Sequence, residues 1–252
     1  LERDRAVTVK TLIGRGDGTF IEGGATASVF GGVEAVILVD FPTATTSDAD
    51  LRLIRDALGT RDVPLLFVAG NRLDPGKLKV LESLLPVTVG SPRSGEMEIT
   101  AHLEGPGRLS PVTAVPNIDR WDDLPPIYRS ETVFAPRPEA TSLVTGGIAG
   151  TSVREPLIVA RSLGRNRTVA VLGYGIFRWE LLAGGIKAPG PDSVPSVLDG
   201  FVSNSLRWLA AADNDRRLRV LAEKPAYGTD ETIRIVAQAY DESYDPLSDA
   251  RV

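Results

Sequence analysis

The side chains able to do chemistry in this chain of 252 residues are few, because it has no cysteine and a single histidine, His102. Thiol nucleophiles, cysteine metal cages and paired-histidine sites are excluded on that ground, and neither a metal site nor a cofactor is expected. Carboxylates remain. Asp40 ends a nearly continuous apolar run and Asp74 lies just past the next one. From those positions the two can face one crevice at the carboxyl ends of adjacent strands, where open α/β sheets bind ligands, with Glu180 and Arg178 near them. A carboxylate pair performs general acid and base work when burial drives its two pKa values apart, which makes Asp40, Asp74 and Glu180 the candidate catalytic residues. The plainer reading is that Asp40 orders the Phe41-Pro42 loop and Asp74 begins a helix, since aspartate is a common capping residue.

His102 is the only imidazole available as a base. It falls in an expected edge strand over residues 98–103, with no serine and aspartate partners at recognisable spacing, and reads as a solvated strand histidine. No G-x-S-x-G elbow occurs anywhere in the chain. Gly173-Tyr174-Gly175-Ile176-Phe177-Arg178 opens like a dinucleotide fingerprint, but Arg178 stands where the third glycine belongs and the unit comes late in the domain. Its glycines are better explained by a tight strand exit, with Arg178 and Trp179 packing or pairing under a long helix. Arg15-Gly16-Asp17 spells an adhesion tripeptide within a glycine-rich turn. The run Asp241-Glu242-Ser243-Tyr244-Asp245, with Asp249 close by, lacks the ordered spacing of a calcium loop and reads as a solvated strand end.

The elements that position these residues follow from hydrophobic periodicity. Residues 6–13 alternate as a strand before Gly14 and Gly16 break it. Residues 33–39 form the unbroken apolar run of a parallel strand covered on both faces. Ser47, with Asp50 three residues on, caps a helix whose Leu51, Ile54 and Leu58 share a face. A second buried strand over residues 63–69 and a second helix over residues 77–85 follow, and strand–helix–strand–helix order implies right-handed crossovers and a parallel sheet. Residues 87–151, rich in proline and glycine, read as short strands and loops decorating one sheet edge, with a docked loop at Trp121-Asp122-Asp123-Leu124-Pro125-Pro126. Strands return at 157–162 and 168–172, joined by a tight turn, and the longest helix spans 194–212 with Ser193 as its cap. Residues 219–240 alternate like the opening of a β-sandwich.

Composition narrows the class. Hydrophobic residues make up 42% and charged residues 24%, enough for one sizeable α/β core plus something smaller. The net charge of −5 and the lack of a basic, aromatic-interleaved stripe exclude nucleic acid as a partner. No apolar run approaches the ~20 residues of a membrane span, so the fragment itself is not expected to insert. The start at Leu1 and the stop within a strand-like pattern at Val252 read as a piece cut from a longer chain.

The order of certain pieces resembles a known family. Leu1-Glu2-Arg3-Asp4, the runs ending in Val39-Asp40 and Ala69-Gly70, the Trp121 to Pro126 loop, residues 167–172 with Gly175 and Arg178-Trp179, and Ser205-Leu206-Arg207-Trp208-Leu209 together are similar to the class I glutamine amidotransferase-like domain of large bacterial membrane proteins, often found beside von Willebrand A-like segments. That resemblance implies a flavodoxin-like, mainly parallel α/β sheet with flanking helices over residues 1–215, N-terminally truncated, and a truncated immunoglobulin-like β segment over 216–252. It also implies membrane segments outside this fragment, favouring the extracytoplasmic side while leaving the cytoplasmic side open. The wider fold keeps its cysteine on the turn matched here by Ala69-Gly70-Asn71-Arg72, which offers no nucleophile. The expectation is therefore a non-catalytic binding or assembly module, partnered by other domains of the same membrane protein and other envelope proteins. Two alternatives stand beside it: a carboxylate-based hydrolase acting on sugars or envelope polymers through Asp40, Asp74 or Glu180, and a structural spacer.

Overall fold

The computed structural model describes residues 8–115, 121–148, 154–164, 166–183, 197–211, 218–222, 232 and 235–239. The chain divides into two compact units, Leu1–Ala210 and Ala211–Val252. The first is built on a seven-stranded sheet. Its strands are β1 (Val36–Val39), β2 (Leu65–Val68), β4 (Glu96–Leu103), β5 (Ile127–Ser130), β7 (Ala140–Gly147), β8 (Arg154–Leu163) and β9 (Asn166–Val171), in the order β1-β2-β9-β8-β7-β4-β5. A separate ribbon pairs β3 (Val87–Val89) with β6 (Phe134–Pro136).

Only β1 with β2 and β2 with β9 run parallel; β9 with β8, β8 with β7, β7 with β4 and β4 with β5 are all antiparallel. The sheet is mixed and mostly antiparallel, with few helices. This corrects the flavodoxin-like, mainly parallel architecture expected from the sequence, and with it the glutamine amidotransferase-like α/β class. The physical reason lies in two segments. The tight turn at Gly164, with φ +55, folds β8 directly back onto β9, and a hairpin leaves no room for a crossover helix. The proline- and glycine-rich middle, read as edge decoration, supplies β4, β5 and β7, three of the sheet's seven strands.

The helices that do form obey the sequence. α1 (Asp48–Gly59) starts at Ser47, whose hydroxyl accepts the Asp50 N–H at 3.1 Å, and buries Leu51, Ile54 and Leu58. α2 (Pro75–Leu78) passes at once into a 3-10 turn over Lys79–Leu84, so most of the expected second helix is wound more tightly than an α-helix. Both lie on one face of the sheet, over Leu65, Phe67, Val159 and Ala170. α5 (Val197–Ala210) covers the other face, where Phe201 and Leu209 join a core containing Leu66, Val68, Val169 and Val171. α3 (Gly105–Leu109) and α4 (Arg178–Ala183) are single turns.

β1 departs from its pattern. Its VILV sequence is apolar throughout, as for a strand covered on both faces, yet it lies at the end of the sheet, half-buried at Val36, Ile37 and Leu38 and exposed at Val39. Residues 8–13 form no strand; an isolated bridge between Gly14 and Phe20 closes the turn instead. No helix among the described residues is long and apolar enough to cross a membrane.

In the second unit β10 (Leu218–Ala222) pairs antiparallel with β11 (Ile235–Ala239). The acidic run from Asp241 to Asp245, the start of the long helix at Ser193 and the Leu1-Glu2-Arg3-Asp4 stretch lie outside the described residues.

Candidate functional site

The carboxyl ends of the parallel strands β1, β2 and β9 place Asp40, the turn at Gly70 and the Gly173-Tyr174-Gly175 exit together. Asp40 adopts φ +52 at the end of β1, a left-handed conformation that aspartate tolerates, and its N–H donates to Val68 O at 3.0 Å. Its carboxylate turns onto the β2 exit. Oδ1 accepts the backbone N–H of Arg72 at 2.9 Å and Oδ2 accepts its Nε at 2.8 Å. Gly70 makes this possible, because a Cβ there would stand 2.1 Å from Asp40 Oδ1.

Asp74 lies on the adjoining loop. Its side chain accepts the Lys77 N–H at 3.0 Å as the cap of α2, while its own N–H donates to Pro42 O at 2.8 Å. A bridge between Thr43 and Leu73 ties the two loops together. The structure thus sets Asp40 and Asp74 on neighbouring loops, each engaged by backbone amides. Glu180 sits exposed in the first turn of α4.

Past β9 the chain is held to the far edge of the sheet. Tyr174 and Tyr128 exchange backbone hydrogen bonds of 3.0 and 2.7 Å, and their rings lie 6.0 Å apart. Gly173 fits because a Cβ would lie 2.9 Å from Leu157 Cδ1 and 3.0 Å from Tyr128 O. The Tyr174 hydroxyl donates to Glu96. Burial holds this phenol well above its ordinary range, reinforced by the bond to Glu96 and by the negative charges of Glu96 and Asp40. Arg178 spans three partners: Pro126 O at 2.7 Å, Glu98 at 3.1 Å and the face of Tyr128 at 5.0 Å. Trp179, fully buried, donates from Nε1 to Pro125 O at 3.1 Å and meets Trp121 edge-on at 5.8 Å. The glycine-bounded segment therefore fastens the 121–126 loop to the sheet.

β4 carries the remaining chemistry. Its alternation puts Met97, Ile99, Ala101 and Leu103 on one side and Glu96, Glu98, Thr100 and His102 on the other. His102 has partners the sequence reading missed. Nδ1 meets the carboxylate of Asp122 in the Trp121–Asp123 turn, and Nε2 lies 3.2 Å from Thr100 Oγ1. The available signal was the period-2 polar stripe, which puts Thr100 beside His102; nothing local announces Asp122, which the loop brings back from 20 positions downstream.

Hydroxyl, imidazole and carboxylate in that order is the arrangement of a nucleophilic relay. Two facts oppose that use. Thr100 Oγ1 also donates to Gly147 O at 3.3 Å, and the β7 backbone presses on the ring so closely that a Cβ on Gly147 would stand 2.4 Å from His102 Nε2. The space in which a reacting carbonyl would approach Thr100 and the imidazole is bordered by that strand.

A shallow hollow of about 450 Å³ opens at the start of α1, bordered by Asp17, Thr19, Thr45, Ser47 and Asp50. Its polar groups bond locally. Asp17 accepts the hydroxyl and N–H of Thr19 at 2.7 and 2.9 Å, contacts that hold its pKa below the usual carboxylate value. Ser47 donates to Asp50 at 2.7 Å. The carboxylate of the Arg15-Gly16-Asp17 tripeptide is thus spent inside its own turn. Among the described residues no three histidine, aspartate or glutamate side chains converge as a metal site would require.

No family model matches this chain, and no curated protein matches it. Among the solved structures similar to it in part are the following two. Cytoplasmic Protein STM3548 from Salmonella typhimurium is 15% identical, with 73% of this chain and 74% of that one covered and a TM-score of 0.48. The mmIFT52 N-terminal domain is 11% identical, with 75% and 82% covered and a TM-score of 0.45.

Proposed function

We propose that this chain is a non-catalytic binding or assembly module of a bacterial membrane-anchored protein. In this reading it is held on the extracytoplasmic side by segments outside residues 1–252. Other domains of the same protein and other envelope proteins are its partners. The observation that carries the reading is that the polar groups at the strand exits bond within the protein: Asp40 to Arg72, Asp74 to the Lys77 amide of α2, Tyr174 to Glu96 and Arg178 to Glu98. A catalytic centre keeps charged groups aimed at the place a substrate will occupy. Here the same groups tie loops to strands, as suits a scaffold whose rim is presented intact to a partner.

The purified chain, offered glutamine, simple esters and a set of glycosides, is expected to show no turnover. Hydrolysis abolished by Asp40→Asn, Asp74→Asn or Glu180→Gln would replace this reading with the carboxylate hydrolase. Hydrolysis abolished by Thr100→Val or His102→Gln would replace it with an enzyme built on the β4 relay.

A further inference from the structure

The outermost strand carries a surface that the rim does not use. In a parallel ladder, successive residues turn their backbone groups alternately toward the neighbouring strand and away from it. The N–H groups of Val36 and Asp40 donate to Pro64 O and Val68 O on the β2 side at 2.9 and 3.0 Å. Ile37 and Val39 must then direct their N–H and C=O groups outward, and no strand among the described residues pairs with them. The side chains of the same two residues share one face, the one on which Ile37 meets the α5-side core. Val39, at 61%, is the most exposed of the large apolar side chains among the described residues. An unpaired edge with an apolar stripe is a template for strand addition, and monomeric proteins usually blunt such edges with lysine, proline or a bulge. β1 has none of these.

We propose that β1 is the surface on which two copies of this chain associate, edge to edge and antiparallel about a two-fold axis at Leu38, joining their sheets into one. Three features select a second copy as the occupant. The outward hydrogen-bonding residues complement themselves: with Leu38 opposite the partner's Leu38, Ile37 stands opposite the partner's Val39 and exchanges both backbone bonds with it, and the symmetric pair does the same. The apolar stripe matches itself, because each Ile37 lies against the partner's Val39 on the same face. Charge matches as well. Glu34, exposed, precedes β1, and Arg72, 67% exposed, stands beside its carboxyl end with only Nε taken by Asp40. Antiparallel pairing carries the start of one strand to the end of the other, so each Glu34 meets the free guanidinium nitrogens of the partner's Arg72. A parallel arrangement would leave both charges unmatched.

This inference goes beyond the binding-module reading and does not depend on its membrane context. Four residues of edge are less than the ~800 Å² per partner of a standard interface, so the dimer is expected to be weak, with Kd in roughly the micromolar range. Sedimentation of the full chain across concentrations from about 1 μM to about 1 mM tests it. The expected result is a monomer–dimer equilibrium that Val39→Lys shifts toward monomer by at least about tenfold, with the circular dichroism of the fold unchanged because that side chain already faces solvent. Glu34→Lys should weaken the dimer several-fold without touching the core, and added salt should weaken the native dimer in the same direction. Leu38→Cys, the only thiol in that variant, should cross-link two chains under mild oxidation. A chain monomeric throughout, or a dimer indifferent to both Val39→Lys and Glu34→Lys, overturns the proposal. Capture of an extended segment of another protein on β1 by a monomeric chain would overturn it too, because the occupant would then not be a second copy.

Discussion

Both oxygens of the Asp40 carboxylate are taken by one residue, Arg72, through its backbone N–H and its Nε. The pairing joins the exit of β1 to the exit of β2 across a turn where Gly70 leaves no space for a side chain. Aspartate at this strand end therefore shapes the rim as a fastener. Its positive φ lets the carboxylate reach back over the neighbouring strand, where an extended residue would aim it into solvent.

Gly70→Ala is expected to destabilise the fold by about 1–3 kcal/mol, since the new methyl would overlap the Asp40 side chain and Asp40 would have to move. Asp40→Ala offers no relief, because Asp40 Cβ itself stands 2.4 Å from the position of the added carbon. Asp40→Gly removes that Cβ and suits the positive φ, so Asp40→Gly with Gly70→Ala should be more stable than the sum of the single effects. Urea denaturation of the single and double variants measures the coupling. Strict additivity would mean that the two residues do not share this space.

The sequence was informative where periodicity and capping act locally. Ser47 and Asp50 announce α1, and the continuous apolar run of β2 matches a central strand buried on both faces. The same reasoning misplaced β1, whose equally apolar run lies at the sheet edge, because periodicity reports what a strand can bury and is silent on how many neighbours it has. It read the tight turn between the strands at 157–162 and 168–172, but took the middle strands for decoration on the edge of a parallel sheet. β4 and β7 are long strands, yet a bulge at Leu143 and the glycines at 146 and 147 interrupt the second, and such positions look like loops when the ladder that tolerates them is not in view. At the site, Asp74 as a helix cap was legible from its place before Pro75. The bonds of Asp40 to Arg72 and of His102 to Asp122 span 32 and 20 positions and depend on sheet order, which no local signal encodes.

Tyr174 should titrate late. Burial first, then the bond to Glu96 and the surrounding negative charge, raise its pKa above the ordinary 10.0. The folded chain thus holds this proton to higher pH than the unfolded chain does. Between the two values the folded state binds more protons, so stability present below about pH 10 is lost as pH rises through the folded value. In an ultraviolet titration of the chain's five tyrosines, one should ionise after the others, and Glu96→Gln should bring it back toward the ordinary range. Five tyrosines ionising together would show that Glu96 and burial do not act on this phenol.

Trp179→Phe should cost about 1–3 kcal/mol despite keeping an aromatic ring, because it leaves Pro125 O without its donor and removes the edge-on contact with Trp121. The loss should appear as a lowered Tm. It should also increase proteolysis within residues 121–126, the loop that Trp179 fastens. Unchanged protease resistance there would show that Arg178 and its bond to Pro126 O hold the loop alone.

Two buried arginines should respond oppositely to the same substitution. Arg161 ends in the 3-10 turn before β3, donating to Ser83 O and Leu84 O at 3.3 and 3.1 Å, the second shared with the Thr168 hydroxyl, and reaching Glu139 at 3.6 Å, while its Nε makes no hydrogen bond. Arg129, 1% exposed, reaches Glu155 only at 3.5 Å and rests against Phe134, and its Nε and Nη2 make no hydrogen bond. Burial lowers the pKa of both, so each folded state bears a desolvation cost, which hydrogen bonds offset at Arg161 and little offsets at Arg129. Arg161→Met is expected to destabilise by about 2–3 kcal/mol, while Arg129→Met, with similar volume and no orphaned donors, should be neutral or stabilising by up to about 2 kcal/mol. Chemical denaturation of the two variants decides the matter. Equal losses would mean that the long contact with Glu155 contributes as much as two carbonyl bonds, contrary to the geometry of an ion pair that has given up water without closing to hydrogen-bond distance.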